Sequence, residues 1–286
     1  MRAGLVVVAT ALAIAAAATT TDILPHAIRQ AIARNDPAAL AADSIPRLAA
    51  LDAAQRAALA SVLVDRDVGA RVASYAFLQV GTPYRLGPLG EESPPDDDPL
   101  IAFDSTDCTT INLVSTALAH ASDAGGERAA MAIANYRGGA VSFATRFHFT
   151  TDRLDSCPYF GDITRRVAGA ACRRQRVTLN RRAHGGRLID IDWSRTRDVD
   201  YVPRALGALF KRWYVSGRLP AAMGIAFVQR TRMDDGLDVV HESLLWQGHT
   251  LLHASSKSGR VVMMPWPEFL NGPGRRYDGF VLFEYR

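Results

Sequence analysis

Leu237-Asp238-Val239-Val240-His241-Glu242-Ser243-Leu244-Leu245 reads as a strand, Trp246-Gln247-Gly248 as a loop, and His249-Thr250-Leu251-Leu252-His253-Ala254-Ser255 as the return strand. A three-residue hairpin loop favours glycine at its left-handed third position, and Gly248 meets that demand. With this loop Leu245 faces His249, and counting back sets His241 opposite His253. Directly opposed side chains share one face of a sheet, with β-carbons about 4.5–5.5 Å apart. The hairpin thus brings two imidazoles together, an arrangement suited to a base and the group that orients it. Taken singly, each is equally readable as a half-exposed hairpin histidine.

Around this hairpin, further strands are predicted at 224–230, 260–264 and 280–285. The first part of the chain is helical instead. Apolar residues recur at three- and four-residue spacing over Ile23 to Ala33, Leu51 to Val64 and Val68 to Gln79, with breaks at Asn35-Asp36-Pro37 and near Pro46. Two more helices are expected at Cys108 to Ala121 and Glu127 to Tyr136, and another from Tyr201 to about Tyr214. A helical half followed by antiparallel strands argues for an α+β fold.

Cys108 lies in Phe103-Asp104-Ser105-Thr106-Asp107-Cys108-Thr109-Thr110, after the extended segment Gly81-Thr82-Pro83-Tyr84. From there Ile111, Val114, Ala117 and Leu118 keep helical spacing, so the thiol stands at a helix start. The helix dipole and free N–H groups at such a place stabilise a thiolate. An inert buried cysteine is equally at home there. Cys108, His241 and His253 also make a legitimate zinc ligand set, but no short metal-type spacing occurs, and no metal or other cofactor is expected.

Gly81-Thr82-Pro83-Tyr84, Asp107-Cys108-Thr109, His241 and the strand Leu251-Leu252-His253-Ala254-Ser255, in this order, resemble the NlpC family of papain-like cell-wall cysteine hydrolases over about residues 70–286. The Thr109-Thr110 pair and the long spacing to the histidine are more similar to that family's N-acetylmuramoyl-L-alanine amidase-like branch. Glu242-Ser243 stands where NlpC-type members have glycine soon after the histidine. The resemblance implies a papain-like fold, with a nucleophile helix packed on an antiparallel sheet. It implies Cys108 as nucleophile, His241 as base, and His253 as the residue that orients it. Tyr84 would line the pocket or assist the oxyanion, and Arg146 and His148 would lie near the substrate in an Arg-x-His-aromatic element. Asp107 is read as a helix N-terminal residue or a contact to a ligand amine, and Ser255 as sharing the face of His253. The implied substrates are peptidoglycan fragments or muropeptides, cut between N-acetylmuramic acid and L-alanine. A γ-D-glutamyl endopeptidase of the same fold and a non-catalytic exported wall-binding protein are the alternatives.

The chain has 286 residues, 48% hydrophobic and 22% charged, with a formal net charge of +4. Residues 1–18 read as a signal peptide: Arg2, an apolar run from Leu5 to Ala18, and small residues before Thr19. The chain is therefore expected to be exported, to the periplasm, without stable membrane insertion after cleavage. Residues 19–66 are expected to form an N-terminal helical segment and 67–286 the hydrolase domain, with an insert at about 150–197. That insert is dense in arginine, which suits either a solvated surface or a rim that attracts an anionic ligand. Lys211 and Lys257 are the only lysines. Arginine grips carboxylates bidentately, so the basic residues favour carboxylate-bearing ligands over nucleic acid. Cys157 and Cys172 are candidates for a disulfide in an oxidising compartment. Oligomeric state is not read from the sequence.

Overall fold

The computed structural model describes residues 22–90, 94, 96 and 99–286. The expected signal peptide and most of the acidic stretch 91–98 lie outside the described residues. Five helices cover one face of a sheet: α1 (His26–Ala33), α2 (Ala53–Leu63), α3 (Val68–Phe77), α4 (Thr110–His120) and α5 (Ala124–Asn135). Aspartates start several of them. Asp52 and Gln55 form a reciprocal capping box on α2, and Asp67 and Asp123 accept N–H groups at the first turns of α3 and α5. Helix α4 is buried from Thr110 to Ala119, which makes it the hub of the layer. Two of its polar residues are satisfied internally: Ser115 accepts from Gln79, and Asn112 accepts from the Tyr285 hydroxyl.

The sheet is antiparallel at every pairing. Its strands are β1 (Phe160–Asp162), β2 (Arg173–Leu179), β3 (Arg195–Pro203), β4 (Ala222–Val228), β5 (His241–Trp246), β6 (Thr250–Ser255), β7 (Arg260–Pro265) and β8 (Gly279–Tyr285). They lie in the order β2-β3-β8-β4-β5-β6-β7, and β1 also pairs with β8. Strand β4 is buried throughout and carries no charge, as a strand covered on both faces must be. Gly224 within it is required by packing, because a β-carbon there would run into the Phe283 ring.

Residues 150–197 are built into the sheet. They supply α6 (Thr150–Ser156), β1, α7 (Thr164–Ala168) and β2, and the hairpin of β2 with β3 extends the sheet edge. The helix expected from Tyr201 begins later, because Val199 and Tyr201 alternate into the core as the end of β3, and Val202 pairs with Phe280. The arginines of this edge are partly neutralised across strands, as in the pair of Arg174 with Asp200 at 2.8 Å.

The two faces of the sheet carry separate cores. Ala226, Leu244, Leu252, Val281 and Phe283 pack under the helices, whereas Ile225, Phe227, Leu245, Leu251 and Phe280 face the other way. That second face is closed by α8 (Phe210–Val215) and α9 (Trp266–Asn271), which contribute Phe210, Trp213, Trp266 and Phe269. Leu24, Ile28, Leu48, Leu59 and Leu63 of the N-terminal segment share the first core with α3 and α4. No described helix is long and apolar enough to cross a membrane.

One buried ion pair joins the layers. Arg153 on α6 donates to both oxygens of Glu242 on β5, at 2.7 and 2.6 Å, and each side chain is 1% exposed. Thr150 and Asn112 complete the carboxylate's hydrogen bonds. Close by, Thr151 donates through both its N–H and its hydroxyl to buried Asp238. Helix α6 thereby fixes the chain on both sides of His241. Removing one partner of a buried pair strands the other charge, at about 3–5 kcal/mol, whereas an apolar pair of similar volume is often neutral. We expect Glu242→Ala to lower unfolding free energy by that amount in urea titrations, and Glu242→Leu with Arg153→Met to recover most of it. A loss below about 1 kcal/mol for the single variant would contradict this account.

Candidate active site

The segment expected to be extended over Gly81–Tyr84 begins with a turn, where Gly81 takes a positive φ of 89°, and Pro83 and Tyr84 are bridged to neighbouring segments on both sides. Gly81 and Thr82 exchange backbone hydrogen bonds with Val261, and Tyr84 donates its N–H to Gly259. On its other side Tyr84 bridges Thr106, which brings it beside Cys108. Asp107 is buried and faces the backbone: its carboxylate accepts N–H groups of Thr109, Thr110 and Gly87 at 3.0, 2.8 and 3.3 Å. It holds the first N–H groups of α4, the helix N-terminal role expected of it. Cys108 follows, two residues before the first residue of the helix. The backbone N–H of Glu242, the neighbour of His241 in β5, lies on the thiol's side and favours its ionised form. The N–H of Cys108 itself meets no acceptor among the described residues.

The histidine hairpin forms with its register shifted by two residues from the expected one. Leu244 pairs with Leu252, Leu245 with Leu251 and Trp246 with Thr250, so the loop is Gln247-Gly248-His249. Gln247 and Gly248 both take positive φ, at 50° and 67°. Trp246 continues the strand because its ring is buried edge-on against Phe77, which a loop position would forgo. Continued, this register sets Ser243, not His241, across from His253. A two-residue shift preserves the face of every side chain. His241 and His253 therefore still meet, diagonally: Nε2 of His241 lies 3.1 Å from Nδ1 of His253, with the rings nearly perpendicular. Tyr277 stacks parallel to His241, and Phe269 packs against His253.

A cleft of about 720 Å³ opens over these rings. Tyr84, His241, His253, Ser255, Arg276 and Tyr277 line it. Cys108 adjoins it through Tyr84 and Tyr277, whose phenols are both raised in pKa by burial first and by the neighbouring thiol among lesser causes. Arg276, Tyr277 and Phe269 were not legible as site residues. Arg276 and Tyr277 follow Gly272-Pro273-Gly274, a run that reads only as a solvated turn.

Burial sets the charge state. It pushes the Cys108 thiol up to about 12, with the Asp107 carboxylate acting in the same direction and the Glu242 N–H opposing. Desolvation and the adjacent carboxylate thus act against the stabilisation of a thiolate that a helix start supplies. Burial lowers His241 to about 3, helped by His253 and Arg276, and lowers His253 to about 4, helped by Arg276. The resting site therefore holds a neutral thiol and two neutral imidazoles.

Two other expected site residues lie elsewhere. Arg146 is buried and bonds Asp96, the Leu89 carbonyl and the Tyr136 hydroxyl, which makes it a clamp on the loop before Cys108. His148 holds the Phe143 carbonyl at 2.7 Å and packs on the Phe143 ring. Cys157 and Cys172 are both free thiols, a correction to the expected disulfide. Cys157 is in the first core and bonds the Ile133 carbonyl, while Cys172 sits against the second core and bonds the Thr164 carbonyl. Among the described residues no three His, Cys, Asp or Glu side chains converge as metal ligands.

Residues 72–272 match the family model described as AmiA-like, N-acetylmuramoyl-L-alanine amidase-like. The chain belongs to this amidase-like family. Among solved structures it is similar to a Legionella pneumophila protein assigned to DUF1460, at 19% identity and TM-score 0.64, covering 82% of this chain and 94% of that one. It is also similar to an N-acetylmuramoyl-L-alanine amidase from Bacteroides uniformis, at 19% identity and TM-score 0.59, covering 77% of this chain and 99% of that one. At such identities these likenesses speak for the α+β fold. None of the curated proteins compared matches the chain.

The two depressed histidines make stability pH-dependent. Below the ordinary value of 6.5 the unfolded chain takes up protons that the folded chain does not, so stability falls as pH drops toward about 4 and then about 3. Two protons give a slope of up to about 2.7 kcal/mol per pH unit. In denaturant titrations the wild type should lose stability relative to His241→Gln/His253→Gln across this window. A constant difference between the two proteins at all pH values would contradict the assignment.

Proposed function

We propose that the protein hydrolyses the amide joining N-acetylmuramic acid to L-alanine in muropeptides, with Cys108 as nucleophile, His241 as general base and His253 as its orienting partner. The observation that carries this reading is the 3.1 Å contact of His241 Nε2 with His253 Nδ1, at a cleft whose lining residues Tyr84 and Tyr277 neighbour the Cys108 thiol. With Nε2 engaged, Nδ1 of His241 is the nitrogen left for the thiol. Membership of the amidase-like family supports the choice of bond.

In this mechanism His241 takes the thiol proton as the sulfur attacks the lactyl carbonyl of the amino sugar. The C–S bond forms and the carbonyl electron pair moves onto oxygen, where the free N–H of Cys108 meets it. Collapse of the adduct breaks the C–N bond, and His241 gives its proton to the departing alanine nitrogen. Water, deprotonated by His241, then cleaves the thioester and restores the thiol. His253 holds the base in position, as the third member of a triad does. Thiol and imidazole are both held toward their neutral forms, which suits a proton transfer that accompanies the attack. In the same reading residues 1–18 direct export, and the enzyme acts in the periplasm on released or anhydro-muropeptides.

The test is incubation of the mature protein and its Cys108→Ala variant with defined muropeptides, with products identified by mass spectrometry. The wild type should yield the L-alanyl peptide and the intact amino sugar, and the variant at least about 10³-fold less. A cut after isoglutamate would reassign the protein as a γ-D-glutamyl endopeptidase. Equal turnover by the variant would remove Cys108 from the chemistry, and no product from either would favour a binding role.

A further inference from the structure

Arg276 differs from the other arginines near the site. Arg146 is paired with Asp96 and Arg153 with Glu242, both out of solvent. Arg276 is exposed, and among the described residues no carboxylate pairs with it. Its guanidinium lies 4.9 Å from the centre of the Tyr277 ring and donates to that residue's hydroxyl at 2.6 Å. Stacked and hydrogen-bonded, it is held in place with most of its donors still free.

Its position is at a junction. Arg276 and Tyr277 line the cleft above His241 and His253, and they also line a second groove of about 440 Å³. Gln229 and Arg232 stand in that second groove, and Lys257 in the first, while among the described residues no acidic side chain lines either. A ligand lying across both hollows passes His241 and runs along Arg276 through a field of one sign. The positive charge of Arg276 reaches both imidazoles, which shows how near it is to the reacting groups.

We infer that Arg276 selects substrates that carry a free carboxylate on the peptide side of the scissile bond, and that the groove it shares with Arg232 holds that peptide. This rests on the amidase reading for the identity of the ligand. In a muropeptide the second stem residue is linked through its γ-carboxyl, so its α-carboxylate is free unless amidated. Arg276 supplies the planar donors for a bidentate bond to that group.

Calorimetry on the full chain carrying Cys108→Ala tests this without turnover. The probes are N-acetylmuramoyl-L-alanyl-D-glutamate and the same compound with that α-carboxylate amidated. The free carboxylate should bind about 10- to 100-fold more tightly, the range of a hydrogen bond to a charged group. Adding Arg276→Gln should erase the preference and leave the amidated probe unchanged, and Arg276→Lys should restore part of it. Equal binding of the two probes, equal weakening of both by Arg276→Gln, or no binding of either would overturn the inference. If the discrimination holds but the active protein cuts neither compound, the amidase reading fails and the carboxylate site stands.

Discussion

The Arg153–Glu242 ion pair removes two full charges from water, and only tight geometry with further hydrogen bonds offsets their desolvation. That requirement organises the centre of the molecule. Glu242 must lie where Arg153, Thr150 and Asn112 converge, so α6, α4 and β5 meet in one arrangement. The same residue turns its side chain to the helical face, and its neighbour His241 points to the opposite face. Because successive strand residues alternate, fixing Glu242 fixes His241. Glycine at this position would leave that placement without its anchor.

On the other face aromatic packing takes over. Phe227, Phe269 and Tyr277 surround the two histidines, and the low-polarity wall they form keeps both rings neutral. The consequence is a thiol and two imidazoles that are each reluctant to ionise. A neutral pair is suited to concerted proton transfer, and a charged ligand that displaces water would alter that balance more than it would in an exposed site. Arg276 holds both properties together, as it depresses the histidines and stands free to meet an anion.

How far this was legible in the sequence varied with the physics of each segment. The histidine hairpin declared its face through period-two alternation, which survives a two-residue register shift. Its loop did not declare itself, because Gln247 adopts a left-handed conformation that glycine alone was expected to take. The helix after Cys108 followed from apolar spacing, and the α+β order of elements followed from the change of period along the chain. Strand β2 was hidden because an edge strand carries charge on its outer face, so Arg173–Leu179 reads as a polar run, and the part of β3 paired with it is equally polar. Arginine posed the sharpest ambiguity. Arg146, expected at the substrate, is spent inside the protein on Asp96, and Arg276 was unremarked in a turn, since sequence alone does not tell which arginines find an internal carboxylate.

The most direct test of the central claim is to quench the reaction with acid during turnover of a muropeptide and map the mass carried by the Cys108 peptide. The account predicts a thioester-linked N-acetylmuramoyl group on that cysteine and nothing from the stem peptide. An adduct that retains alanine and glutamate, or continued turnover with Cys108 always unmodified and replaceable by alanine, would contradict it.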